Sequence, residues 1–88
     1  MKSSLKVIVR KKDKLLFSDI AESVSSINDV GPFDVLPYHK NFVCIIKSNV
    51  EIKQSGGGIF SIPVNRGIFQ ARNNCVEIYL FQSDKISD

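Results

Sequence analysis

Tryptophan is absent, and the 88 residues hold one methionine, one histidine and two cysteines. Two thiols and one imidazole cannot complete a tetrahedral zinc site without a borrowed carboxylate, and Cys44 and Cys75 lack the C-x-x-C spacing of a metal or redox pair. Long apolar runs are missing too. None approaches the ~18 residues of a membrane helix, and the opening "MKSSLKVIVRKKDKLL" alternates where a signal peptide would carry an unbroken apolar stretch. The expectation is a cytoplasmic chain, or one held on the cytoplasmic side of a membrane without direct insertion. Charge of one sign is also scarce: twelve Lys and Arg against nine Asp and Glu leave +3, short of the dense basic footprint of a nucleic-acid binder.

What is present is a hydrophobic content of 43%, enough for one core in a chain this short. We expect a single domain over residues 1–82 and a polar tail over 83–88. The pattern is of short strands at close spacing, punctuated by turn residues. "LKVIVR" alternates and turns through "KKDK" into "LLF". "NVEIKQ" alternates Val50 and Ile52 against Glu51 and Lys53, and "SGGG" supplies positive-φ positions before "IFSIPV". "GIFQAR", Asn73-Asn74 and "CVEIYLF" form another hairpin, since Asn tolerates the left-handed conformation at a turn. Pro63 removes a ladder donor and places its strand at an edge or a bulge.

Two segments need a decision. "SDIAESVSSIND" spaces Ile20, Val24 and Ile27 as a helix would, but its serines and β-branched residues favour strand, with Ile20, Glu22 and Val24 on one face. In "CVEIYL", Cys75 shares a face with Glu77 and opposes Val76, Ile78 and Leu80, whereas Cys44 in the apolar "FVCII" should be buried. The two thiols therefore fall on different faces and should stay reduced. The expected fold is an all-β sandwich of eight to ten short antiparallel strands, closed well enough to leave few edges.

The order "KLLFSDIAESVSSI", "GPFDVLPYH", "IPVNRGIFQARNNCVEIYL" resembles the N-terminal β-sandwich domain of the epsilon subunit of F-type ATP synthases, called delta in mitochondria. Phe17, Ser18, Gly31, Phe33, Val35, Leu36, Pro37, His39 and Gly67 fall in register with the family pattern over roughly residues 5 to 81. Pro32 stands where relatives usually carry Glu, Tyr38 where they carry Gly. The family's C-terminal helical hairpin is not expected, as the chain stops about where it would begin. The resemblance implies a non-catalytic central-stalk subunit, a monomer within a hetero-oligomer that docks on the gamma subunit and the membrane ring. It would sit peripherally on the cytoplasmic side of an energy-transducing membrane and help couple proton transport to ATP synthesis. It places Phe33, Asp34, Tyr38, His39, Lys40 and Phe42 at or beside the partner contact, with Lys11 on a neighbouring hairpin.

The residues give no catalytic site, cofactor or metal to set beside this. His39 has no nucleophile paired with it in sequence, "QSGGGIF" lacks the Gly-Lys-Ser/Thr of a phosphate loop, and the carboxylates fall on separate turns. The alternative is a stand-alone β module that binds nucleic acid or anionic lipid through Arg10, Lys11, Lys12 and Lys14. Against nucleic acid stands the absence of an aromatic ring within that cluster. Its other reading is a solvated hairpin tip whose charges keep a sheet edge from pairing.

Overall fold

The structure, a computed structural model, describes residues 4–81; the expected tail at 83–88 lies outside them. Nine strands run in the order β1 (Leu5–Lys11), β2 (Lys14–Ala21), β3 (Ser23–Ile27), β4 (Pro32–Val35), β5 (Phe42–Ile46), β6 (Val50–Lys53), β7 (Ile59–Ile62), β8 (Gly67–Arg72) and β9 (Cys75–Leu80). They form a five-stranded sheet, β2-β1-β9-β8-β5, and a four-stranded sheet, β4-β3-β6-β7. All nine strands have a partner in an antiparallel ladder; β1 also runs parallel to β9 and so joins two antiparallel hairpins into one sheet.

Period-two alternation fixes what lies between the sheets. Leu5, Val7 and Val9 of β1, Val76 and Ile78 of β9 and Phe69 of β8 are buried against Val24, Val35, Val50 and Ile52 of the smaller sheet. Phe33 and Phe42 meet Phe69 at ring-centroid distances of 5.0 and 5.7 Å, one edge-on and one stacked. Offset and edge-to-face contacts of this kind add about 0.5–1.5 kcal/mol beyond burial. Ser26 is the polar residue admitted to the interior, and its hydroxyl lies 3.3 and 3.2 Å from the carbonyls of Ser48 and Asn49.

Turn chemistry agrees with the sequence. Asn73 and Asn74 have φ of 53° and 63°, the two positive values that a two-residue hairpin turn between Arg72 and Cys75 requires. Gly56 and Gly57 take φ of 96° and 102° in the loop before β7, and β7 is an edge strand that ends at Ile62, just before Pro63. The helix-like segment is strand on both sides of Glu22. Its expected parity fails, because the chain changes sheets there: Ala21 and Val24 are both buried, whereas Ile20 is exposed.

Two further expectations are corrected. The sandwich is not closed: β2 and β5 end one sheet and β4 and β7 the other, leaving four edge strands. Cys44 points inward but is only half-buried, because β5 is itself an edge. It stays on the opposite face from Cys75, and both thiols are free.

A methyl group added at Gly67 would stand 2.7 Å from the Tyr79 carbonyl oxygen and 3.2 Å from Leu80 Cδ2. Neither the ladder nor the core can yield there cheaply, so Gly67→Ala should lower stability by about 1–3 kcal/mol, read as a shift in the urea midpoint at unchanged slope.

Candidate docking surface

One end of the sandwich is organised by Asn74. Its side-chain amide donates to the Ser4 carbonyl at 2.8 Å, and its carbonyl oxygen Oδ1 accepts from the Tyr38 backbone N–H at 2.8 Å. The backbone oxygen of Asn74 also accepts from Lys6 N–H at 3.2 Å. Beside it, Asn73 N–H donates to Asn41 Oδ1 at 3.0 Å. The loop from Leu36 to Asn41, which carries the chain from β4 to β5, is thereby pinned to the β8–β9 turn. A tight turn closes inside it, where His39 N–H donates to the Leu36 carbonyl at 3.2 Å.

Tyr38 holds φ of 67° and its side chain is 76% exposed. A bulky residue in the left-handed region carries local strain, and Asn74 supplies the hydrogen bond that holds it there. His39 and Lys40 are exposed next to it. His39 Nδ1 lies 2.9 Å from the Lys40 carbonyl, a contact that needs the proton on Nδ1, and the ring is 5.3 Å from that of Phe42. Tyr38, His39 and Lys40 therefore form one presented corner, with an aromatic, an imidazole and a cation suited to a protein interface.

The other expected contact residues fall elsewhere. Phe33 and Phe42 are half-buried and spend their rings on Phe69, because Phe33 shares the inward parity of Val35, and Phe42 that of Ile46. Asp34 lies on the outer face of the smaller sheet, where its carboxylate accepts from the Ser25 hydroxyl. Lys11 does not neighbour the corner. It pairs in register with Leu80 at the far end of β9 from Asn74, some ~20 Å along the strand.

Sequence reading missed an apolar sheet face. On the outer side of the five-stranded sheet the register aligns Leu15, Arg10, Tyr79, Ile68 and Ile45 in one row, and Ser18, Ile8, Glu77, Gln70 and Val43 in the next. Val43, Ile45 and Tyr79 are 62, 38 and 45% exposed and are linked through half-buried Ile68, an apolar patch of the kind that marks an interaction site, while Leu15, 52% exposed, stands apart beyond Arg10. The available signal was "FVCII", apolar on both faces, as is expected of a strand covered on both sides. An open depression of 340 Å³, lined by Asn41, Phe42, Val43, Gln70, Ala71 and Arg72, lies where β5 and β8 reach the end of the sheet nearest the Leu36–Asn41 loop. Among the described residues, no three His, Cys, Asp or Glu side chains gather in a way that could hold a metal ion.

If strain at Tyr38 is offset by Asn74, Tyr38→Gly should change stability by less than about 0.5 kcal/mol while Tyr38→Val and Asn74→Ala each cost about 1–2 kcal/mol. Thermal denaturation of the three variants checks this.

No family model matches the chain. It is 25% identical over 88 residues to the ATP synthase epsilon chain of Geobacter metallireducens, spanning all of this chain and 64% of that relative. In structure, 91% of the chain superposes with TM-score 0.83 and 16% identity on a chain of the Euglena gracilis mitochondrial ATP synthase, resolved there as an OSCP/F1/c-ring assembly, and covers 52% of it. A chain of the Tetrahymena thermophila mitochondrial ATP synthase central stalk and c-ring matches with TM-score 0.69 and 11% identity, over 99% of this chain and 76% of that one. The resemblance read from the residues therefore stands: this β-sandwich is similar along its whole length to an ATP synthase epsilon chain, and it shares its fold with chains of two mitochondrial ATP synthases.

Proposed function

We propose that this chain is a non-catalytic subunit of an ATP synthase central stalk, docking on the gamma subunit and standing over the membrane ring. The observation that carries the reading is end-to-end sequence similarity to an ATP synthase epsilon chain, borne on the sandwich that mitochondrial stalk assemblies also contain. The role is mechanical. A brace transmits torque only through a packed contact of the order of 1,000 Å² or more, which a single loop cannot provide.

The contact we assign to that role is the corner of Tyr38, His39 and Lys40 together with the outer face of the five-stranded sheet. Val43, Ile45 and Tyr79 supply apolar area at the centre, while Lys6, Arg10 and Arg72 supply a polar rim, the arrangement expected of a stable interface. Binding of this kind is dominated by apolar burial and weakens little with salt.

The test is to tag the chain in its source cells, solubilise washed membranes mildly and identify co-purifying proteins. Stoichiometric alpha, beta and gamma subunits are expected at low and moderate salt. Val43→Asp with Ile45→Asp should abolish their recovery, and Tyr38→Ala with His39→Ala should reduce it about tenfold or more, in both cases with the circular dichroism of the purified chain unchanged. Recovery of the wild-type chain without ATP synthase subunits overturns the reading.

A further inference from the structure

The end of the sandwich opposite the Tyr38 corner is basic, and the basic residues come from three separate places in the sequence. The register sets Lys14, Lys11, Leu80, Gly67 and Ile46 side by side across the five-stranded sheet. The residues just past this row are Lys12 in the β1–β2 turn, Arg66 before β8, Phe81 after β9 and Lys47 after β5. Phe81 N–H donates to the Arg66 carbonyl at 2.9 Å, and Lys47 N–H to the Ile27 carbonyl at 3.1 Å, which brings the β3–β4 turn to the same end. Lys11, Lys12, Lys14, Lys47 and Arg66 are all exposed there.

Two carboxylates share this end. Asp13 sits in the β1–β2 turn. Asp29 is bound by Lys47 Nζ at 2.6 Å, and that hydrogen bond and charge, with Arg66 adding its own, hold its carboxyl below the ordinary carboxylate range. Among the described residues, five cations against two carboxylates leave an excess of three positive charges across a surface about 20 Å wide, four strand spacings.

An apolar tip stands out from it. Val30 is 96% exposed at the apex of the β3–β4 turn. The turn is stiff: Asn28 Oδ1 accepts from Val30 N–H at 2.8 Å and from Gly31 N–H at 3.2 Å, Asn28 N–H donates to the Gly31 carbonyl at 3.1 Å, and Gly31 takes φ of 142°. Phe81, 41% exposed, lies under the Arg66 guanidinium at 5.7 Å.

We propose that this end is a contact surface for an anionic phospholipid bilayer, with the five cations in the headgroup layer and Val30 entering the interface. Lys11, Lys12 and Lys14 are long, flexible and exposed, which suits laterally mobile phosphates, while Lys47 and Arg66 stand beside Asp29 and Phe81 at the same end. A fixed apolar tip beside them suits the boundary between headgroups and acyl chains. Single-stranded nucleic acid is the poorer fit, since stacking of successive bases needs several open ring faces and Phe81 offers one ring with Arg66 over a face of it. Under the stalk reading, the surface gives the subunit a footing on the membrane beside the ring. The contact itself is a property of the chain alone.

The experiment is co-sedimentation of the purified chain with two vesicle preparations, one of phosphatidylcholine and one of phosphatidylcholine and phosphatidylglycerol in three-to-one ratio. Binding to the mixed vesicles only is expected, with affinity falling steeply as salt rises. Lys11→Gln, Lys12→Gln and Lys14→Gln together should weaken it by about tenfold or more, as should Lys47→Gln with Arg66→Gln when added to them. Val30→Ser should weaken it at unchanged salt dependence, and Lys6→Gln with Arg72→Gln, at the other end, should leave it intact. Absence of binding, equal loss from the Lys6 and Arg72 variant, or tighter binding of single-stranded RNA than of the mixed vesicles would overturn the proposal. Because these assays contain no other subunit, their failure leaves the co-purification result standing, and failure of the latter leaves vesicle binding standing.

Discussion

The ring of Phe69, wholly buried in a mutual contact with those of Phe33 and Phe42, marks the centre of the one apolar layer that a chain of this size can fill, and every strand must give a face to that layer. Strand parity then decides everything else on the surface. In β8 the inward set Gly67, Phe69 and Ala71 leaves Ile68 and Gln70 outside; in β9 the inward set Val76, Ile78 and Leu80 leaves Glu77 and Tyr79 outside. The exposed apolar row on the larger sheet is thus the remainder of the same alternation that builds the core. It persists because those outward positions hold Ile, Val, Tyr and Leu where a sheet facing water would carry polar residues.

Long-range register has the complementary role of setting which loops share an end. The parallel pairing of β1 with β9 sends the β1–β2 turn to the same end as the start of β8 and the end of β5, and sends the Asn73–Asn74 turn to the other. Asn74 is then placed to hold the β4–β5 loop, which makes the Tyr38 corner a consequence of sheet topology and not of its own sequence. Charge follows the same logic. A mild net excess of +3 over the whole chain becomes a local one when cations far apart in sequence arrive at one edge of the sheet.

Much of this was open to inspection in the residues, and the parts that were not share a cause. Turn-bounded alternation located the hairpins at Lys12-Asp13, Gly56-Gly57 and Asn73-Asn74, because the signals are local and Gly and Asn report directly on positive φ. Pro63 likewise announced the end of an edge strand. The core packing of Phe33 and Phe42 went unread although their parity with Val35 and Ile46 was legible, since an aromatic in a Pro-rich segment looks as much like an interface anchor as like a core ring. The switch of faces at Glu22 was hidden: a strand that leaves one sheet for the other resets its parity at the corner, and nothing in "DIAESV" marks the reset. Lys11 was assigned to the wrong neighbourhood for the same reason as Lys47 and Arg66 were overlooked, because which hairpins lie side by side depends on pairings between residues more than fifty positions apart.

The two ends and the apolar face divide the surface by the kind of contact each can make. Apolar area needs a partner whose shape is fixed, since its gain comes from excluding water over a matched surface. Isolated cations on flexible stems need only a density of negative charge, and they tolerate a partner that moves laterally beneath them. The stalk role proposed above sets both demands, holding one protein firmly while standing over a membrane that does not turn with it. A contact that depends on headgroup charge and on one inserted valine can slide, whereas the row through Tyr79 and Ile45 cannot. On this fold the surfaces proposed for the two contacts lie apart, so under that reading the one can be tight without the other resisting rotation.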